Sequence, residues 1–197
     1  MSASQAELFE DPSRFPEGFR YRLEFIDRTE EQRLVRAMER LEFAAFEFHG
    51  FLGRRRIVSF GWRYDFNRGG LQETESIPDF LMPIREAAAA FAGLHPSKLQ
   101  QVLLTEYSPG AAIGWHKDRP AFGDVIGISL LSPCTFRLRR KAGSGWERRS
   151  LTIEPRSAYL LRGPARDVWE HSIPPLDMQR YSITFRTLRA NAPRPRG

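Results

Sequence analysis

Apolar and polar positions change rhythm twice along this 197-residue chain. From Phe19 to Phe25 they alternate, Phe-Arg-Tyr-Arg-Leu-Glu-Phe, and that period of two predicts a half-buried strand. Leu34, Val35, Met38 and Leu41 then recur at helical spacing behind Thr29-Glu-Glu-Gln32, which has the spacing of a capping box. A helix is predicted from about Glu30 to about Phe43. Its other face mixes Glu30, Glu31, Arg33, Arg36, Glu39 and Arg40, which reads as solvated, since a membrane-binding face is mostly basic. Ile57 to Phe66 predicts an aromatic-rich strand, broken by Asn67-Arg-Gly-Gly70 and followed by a polar loop to Ser76. A second helix is predicted over Asp79 to Gly93, opened by Pro78 and closed by Gly93 and Pro96, with Pro83 a candidate kink.

From Leu99 onward short strands follow one another: 101–107, 113–116, 125–131, 135–140, 149–153, 158–162, 171–173 and 181–187. Ser108-Pro-Gly110, Ser132-Pro133, Gly143-Ser-Gly145, Gly163-Pro164 and Pro174-Pro175 punctuate them. Strands at about ten-residue spacing predict a sandwich or jelly roll. With two helices ahead of the sheet, the expected class is α+β: an antiparallel, cupin-like double-stranded β-helix with N-terminal buttressing helices. One domain is expected over 17–189, after a flexible lead-in (1–16) and before a basic Pro/Arg tail (190–197).

Composition narrows the setting. The hydrophobic fraction, 41%, is ordinary for a soluble domain, and no apolar run reaches the length of a membrane span. Met1 to Phe15 has neither a signal core nor an Arg/Ser-rich transit pattern, so a cytoplasmic monomer is expected. Cys134 is the one cysteine, which excludes an intramolecular disulfide. The net charge of +6 favours an anionic partner such as nucleic acid. Arg137, Arg139, Arg140, Lys141, Arg148 and Arg149 flank the Gly143-Ser-Gly145 turn, and Arg189, Arg194 and Arg196 decorate the C-terminus. Such a hairpin attracts phosphate backbones or anionic lipid headgroups; a solvated face is the plainer reading.

Candidate chemistry starts at His116-Lys-Asp118. On an extended strand residues i and i+2 share a face, so this imidazole and carboxylate converge. His171 lies in a later strand-like segment, and two His with one Asp leave half an octahedron open, as in non-haem Fe(II) oxygenases. Arg180 and Arg186, six apart, share a face with Ser182 and Thr184. An inward-facing cation calls for an anion, and Arg pairs a carboxylate bidentately. The alternative is that both Arg face solvent while Tyr181, Ile183 and Phe185 point inward.

His116-Lys-Asp118, His171 and Arg180-x5-Arg186, preceded by Thr105-Glu-Tyr107-Ser-Pro-Gly110, resemble the AlkB family of Fe(II)/2-oxoglutarate dioxygenases over roughly residues 57 to 187. The resemblance implies that His116, Asp118 and His171 bind iron and that Arg180 pairs with the distal carboxylate of 2-oxoglutarate beside Tyr107. It implies that Arg186 sits nearer the iron, holding the cosubstrate or Asp118. Thr105 stands where the family usually has Asn and offers one hydroxyl in place of an amide. Fe(II), 2-oxoglutarate and O2 are the implied cofactors. The implied products are succinate, CO2 and a hydroxylated or demethylated substrate.

Gly163-Pro-Ala-Arg-Asp-Val-Trp-Glu-His171 resembles the branch that includes a tRNA wobble-uridine hydroxylase and protein-directed members. Trp62, Tyr64 and Phe66, alternating with Arg63 and Asp65, suit a platform for a flipped base or simply a strand packed on the core. Trp169 is expected to support His171. The leading expectation is a modified nucleic-acid base as substrate. The alternatives are a fatty acyl, other small-molecule or protein substrate, and a non-enzymatic module that has kept the fold.

Overall fold

Alternation along strands with two different partners builds the molecule. The structure, a computed structural model, describes residues 14–48, 51–65 and 70–190. Phe66, Arg194, Arg196 and most of the expected lead-in and tail lie outside the described residues. Thirteen strands and three α-helices are described. They are β1 (Phe19–Arg22), α1 (Arg28–Met38), β2 (Ala44–Phe48), β3 (Phe51–Phe60), β4 (Trp62–Asp65), β5 (Gly70–Glu73), α2 (Met82–Ala92) and β6 (Leu99–Tyr107). After these come β7 (Ile113–His116), β8 (Phe122–Leu130), β9 (Cys134–Ala142), β10 (Gly145–Ile153), β11 (Ala158–Leu161), α3 (Gly163–Asp167), β12 (Glu170–Ile173) and β13 (Arg180–Leu188).

A seven-stranded major sheet runs β1-β11-β8-β13-β6-β3-β2, and a four-stranded minor sheet runs β10-β9-β12-β7. Their inner faces meet in a cluster of Tyr107, Val125, Tyr159 and Leu161 from the major sheet with Phe136, Leu138, Ile153 and Ile173 from the minor one. This is the expected double-stranded β-helix. The other face of the major sheet is closed by the two long helices. Leu34, Val35 and Met38 of α1 and Ile84, Ala88 and Ala92 of α2 pack on Val102, Leu104, Ile126, Ile183 and Phe185. Truncating Leu34, which is fully buried, to Ala costs about 2–5 kcal/mol on the usual scale of such core cavities. β13 is therefore buried on both faces from Arg180 to Phe185, and neither alternative for its Arg residues, as posed from periodicity, is complete.

Several local expectations are corrected. Asp27, and not Thr29, caps α1: its carboxylate accepts from the Glu30 amide at 2.8 Å. The helix ends at Met38, and Leu41 and Phe43 lie in the connection to β2, packed against the core. The aromatic stretch, as far as Asp65, is two strands, because Gly61 has φ +76°, where a Cβ would lie 2.1 Å from the Gln100 carbonyl oxygen. That turn swings β4 out of the major sheet into a hairpin with β5, where a polar loop was expected. Pro83 lies in the first turn of α2, where no N–H is needed, and does not kink it. Phe15, inside the expected lead-in, packs against Phe19 with ring centroids 5.2 Å apart.

Candidate active site

β12 pairs with β7 in antiparallel register, setting His171 directly opposite His116 on the inner face of the minor sheet. Their ring centroids are 4.3 Å apart. Asp118 arrives differently from expectation. β7 ends at His116, so strand alternation does not carry the carboxylate to the site. Arg186 of β13 brings it there, with Nε and Nη2 each 2.8 Å from Oδ1, while Gln101 accepts from Arg186 Nη1 at 3.0 Å. The other oxygen, Oδ2, lies 3.7 Å from His171 Nε2. One donor atom from each of His116, Asp118 and His171 falls within 4.8 Å of the others.

The protonation states suit a cation. Burial, reinforced by His116 and opposed by Asp118, pushes His171 down to about 3. Burial likewise lowers His116, against the pull of Asp118 and the Gly114 carbonyl. His116 Nδ1 lies 2.9 Å from that carbonyl oxygen, which fixes it as the donor and leaves Nε2 with its lone pair. Burial works against the Asp118 carboxylate, yet Arg186, His171 and His116 hold it well below the usual carboxylate range. Two neutral imidazoles and one anion therefore face a common point.

Six residues from Arg186 along β13, Arg180 occupies the far end of the same inner face, in register with Tyr107 of β6. Its side chain is 1% exposed, with the guanidinium carbon 4.9 Å from the Tyr107 ring centroid. Nε donates to Ser129 Oγ at 3.0 Å, and Nη1 is buried with no hydrogen-bond partner among the described residues. Thr105 is buried on the same face, between Ile57 of β3 and Ser182 of β13.

The remaining expected residues divide. Trp169 is buried in the inner cluster beneath the Arg140 guanidinium, 5.1 Å from its centroid, but the ring stacked on His171 is Phe136, at 5.4 Å. Trp62 and Tyr64 are half-buried and pack on Leu71, Ala121 and Phe122, with Arg119 5.1 Å above the Tyr64 ring. Arg63 is exposed and donates to Gln72. The hairpin still borders the site, because the Arg186 guanidinium lies 5.2 Å from the Phe122 centroid.

Sequence reasoning missed Arg55, the middle one of three consecutive arginines at 54–56. It stands opposite Tyr107 on β3, on the face shared with Thr105 and Arg180. Burial pushes its guanidinium below the usual arginine range, with Tyr107 and Asp118 raising it and Arg186 lowering it further. The period of two links Arg55 to Ile57 and Ser59, and that was the available signal. Gln101, the brace of Arg186, was equally unmarked.

Comparisons with known proteins agree with this geometry. Residues 52–189 match the 2OG-Fe(II) oxygenase superfamily. The chain is 28% identical over 175 residues to an "Alkylated DNA repair protein ALKBH8 homolog" of Arabidopsis thaliana, covering 77% of this chain and 49% of that protein. It is 34% identical over 155 residues to the bovine "Alpha-ketoglutarate-dependent dioxygenase alkB homolog 7, mitochondrial", covering 76% of this chain and 64% of that one. The chain thus spans about half to two thirds of the length of these relatives. Among solved structures, OsALKBH1 superposes with a TM-score of 0.70 at 16% identity, covering 88% of this chain and 98% of that one. A 2OG-Fe(II) family oxidoreductase from Burkholderia pseudomallei does so at 0.63 and 12%, covering 91% and 89%. These two likenesses speak for the fold. No helix among the described residues is long and apolar enough to cross a membrane. The chain belongs to the 2OG-Fe(II) oxygenase superfamily and, within it, to the AlkB family of 2-oxoglutarate-dependent dioxygenases.

Proposed function

We propose that the chain hydroxylates or oxidatively demethylates an alkylated or modified nucleic-acid base, and that the five residues His116, Asp118, His171, Arg180 and Arg186 carry the reaction. The observation that supports this most is a neutral two-His, one-carboxylate set facing the interior between the two sheets together with a fully buried guanidinium, one of whose nitrogens has no partner among the described residues. A buried unsatisfied donor costs about 1–3 kcal/mol, more for a charged group, so Arg180 fits a site completed by a carboxylate. The donor set suits Fe(II), and the unpartnered Arg180 nitrogen suits a carboxylate of 2-oxoglutarate.

His116 Nε2, His171 Nε2 and an oxygen of Asp118 would hold the metal. Bound there, Fe(II) with 2-oxoglutarate and O2 supplies an oxidant that places a hydroxyl on a substrate carbon, with succinate and CO2 as coproducts. This chain's own residues do the rest. The imidazoles enter already neutral, so no proton must leave before a cation binds. Arg186 keeps Asp118 ionised and leaves Oδ2 on the His171 side. Arg180, always charged, pairs with the distal carboxylate, with Tyr107 beside it and the Thr105 hydroxyl deeper on the same face. Arg55 adds a second cation beside Tyr107 and orients whatever anionic or carbonyl group enters next to it. Trp169 and Phe136 exclude water from behind His171.

Net positive charge and the half-buried Trp62 and Tyr64 at the metal end support a base as substrate, as does the repair-protein name of the Arabidopsis relative. The packing of that hairpin on Leu71, Phe122 and Leu188 favours a second reading, an apolar acyl or protein side-chain substrate. Succinate release from iron-loaded protein decides between them. Methylated single-stranded DNA and tRNA should stimulate release above the uncoupled rate, and long-chain fatty acids should not. Stimulation by fatty acids alone would replace the first reading with the second.

A further inference from the structure

The Arg-rich hairpin β9–β10 is the motif that the iron site leaves unused, and its outer face is built rather than merely charged. The Arg139 guanidinium lies 4.4 Å from the Trp115 centroid and 4.0 Å from that of Trp146, and its Nε donates to Glu170 at 2.6 Å. It braces both rings. Next to this brace is a groove of about 510 Å³ whose walls include Arg14, Phe15, Trp115, Arg137, Arg148 and Arg149. Among the described residues that line it, four side chains are guanidinium groups and none is a carboxylate.

The four are not equally committed. Arg149 donates to the Arg14 carbonyl at 2.8 Å, which ties the N-terminal segment down as one wall, and pairs with Glu147. Arg137 lies 5.1 Å from the Trp115 centroid and gives its Nε to the Ser172 hydroxyl, with no carboxylate opposite. The Arg148 side chain is exposed and has no hydrogen bond or ion pair among the described residues. Trp115 immediately precedes His116, and successive strand residues point to opposite faces. The groove therefore backs onto the metal site across the thickness of one sheet.

We propose that this groove binds the phosphate backbone of a single nucleic-acid strand, with Trp115 as its stacking wall. The inference deepens the nucleic-acid reading above and rests on it for the identity of the strand. Guanidinium forks match phosphate oxygens, and cations interleaved with aromatic planes match the repeat of phosphate and base. A membrane surface fits less well: among the described residues the exposed large apolar side chains are Leu23, Leu131, Val168 and Met178, and none of these lines the groove.

The test is equilibrium binding of a fluorescein-labelled 12-nucleotide single strand to the full chain, followed by anisotropy across a salt series. Arg148→Glu should weaken binding at least tenfold near 0.1 M salt and flatten the log–log salt slope by about 0.7 or more, the contribution of one phosphate contact. Arg36→Glu, on the exposed face of α1, makes the same change in net charge and should have little effect. The Arg148 side chain has no hydrogen-bond or ion-pair partner to lose among the described residues, so the variant keeps the fold. Equal weakening by Arg36→Glu, indifference to Arg148→Glu, or no strand binding by the wild type would each overturn the proposal. Arg148-dependent binding of phosphatidylserine vesicles or polyglutamate without binding of the strand would overturn it as well. Strand binding that depends on Arg148, with no base stimulating succinate release, leaves the groove standing and removes the base-hydroxylase reading. Base-stimulated release with strand binding indifferent to Arg148 does the reverse.

Discussion

Arg180 and Arg139 are both guanidinium groups set against aromatic rings, 4.9 Å from the Tyr107 centroid and 4.0 Å from that of Trp146, yet their remaining valences are met differently. Arg139, on the outer face of the minor sheet, has a carboxylate 2.6 Å away in Glu170 and solvent for the rest. Arg180, on the inner face of the major sheet, has only the neutral hydroxyls of Ser129 and Tyr107 and a buried nitrogen with no partner among the described residues. Outside, a missing partner costs little because water replaces it. Inside, the deficit persists until an anion arrives. A polar shortfall in the interior therefore records a ligand, and the same shortfall on the surface does not.

The sharpest way to break this comparison is at Asp118, the inner anion that already has its cation. Asp118→Ala should abolish iron-dependent succinate release. It should also cost about 3–5 kcal/mol, because Arg186 is left buried with Gln101 alone. Asp118→Asn should be equally inactive but less destabilised, since its amide oxygen still accepts from Arg186. Denaturant midpoints with and without Co(II) read both effects. Normal turnover in Asp118→Ala would remove the three-residue metal site.

Arg180 should behave in the opposite sense. Arg180→Met removes a cation whose partner is absent, so the metal-free protein should be no less stable than wild type. Its 2-oxoglutarate requirement should rise about tenfold to a hundredfold, the equivalent of one charge-assisted pair worth about 1.5–3 kcal/mol. KM values for 2-oxoglutarate and for the primary substrate, measured side by side, test this. An equal rise in both would contradict the assignment.

A third difference between inside and outside is titration. The folded His171 titrates near 3, against about 6.5 in an unfolded chain. Between those values the unfolded state carries a proton that the folded metal-free state does not. Stability should therefore fall as pH drops from about 6.5 towards 3, by up to about 1.4 kcal/mol per pH unit. Asp118 adds to the loss below about pH 4, since the unfolded carboxyl protonates while the folded one stays ionised. Midpoints of urea unfolding across this range check the sign, and a flat profile would contradict buried, neutral histidines.

Legibility follows the same division. The strands after Leu99 could be read because each has at least one face in a core, and 113–116 and 158–161 were placed to within a residue at each end. His116 and His171 sit opposite each other where strand spacing puts them, whereas alternation alone left the faces of Arg180 and Arg186 open and the family resemblance carried that expectation. Asp118 was recognised, but for an incomplete reason: it lies past the strand end, and a contact from residue 186 positions it. Arg55 was hidden among three consecutive arginines, where composition says surface and only the ladder to Tyr107 says interior. Asp27 outranked Thr29 as a cap because the turn before α1 put the carboxylate, and not the hydroxyl, three residues ahead of a free amide. Such long-range or turn-dependent choices leave no period in the sequence.

The smallest expected effect belongs to the outer arginine. Arg139→Ala removes two cation–π contacts, each worth about 0.5–1 kcal/mol at an exposed site, and an ion pair worth about 0–1 kcal/mol. The total loss should be about 1–3 kcal/mol, read as a lower urea midpoint. A cycle with Trp146→Leu should recover about 0.5–1 kcal/mol of coupling between the two side chains. The 2-oxoglutarate requirement should not move, because a sheet separates Arg139 from the interior and its charge is already balanced by Glu170. A shift of that requirement comparable to the one expected for Arg180→Met would mean that the outer ladder sets the inner site. The two faces would then be one electrostatic unit, and the distinction between a ligand-demanding and a self-satisfied arginine would fail.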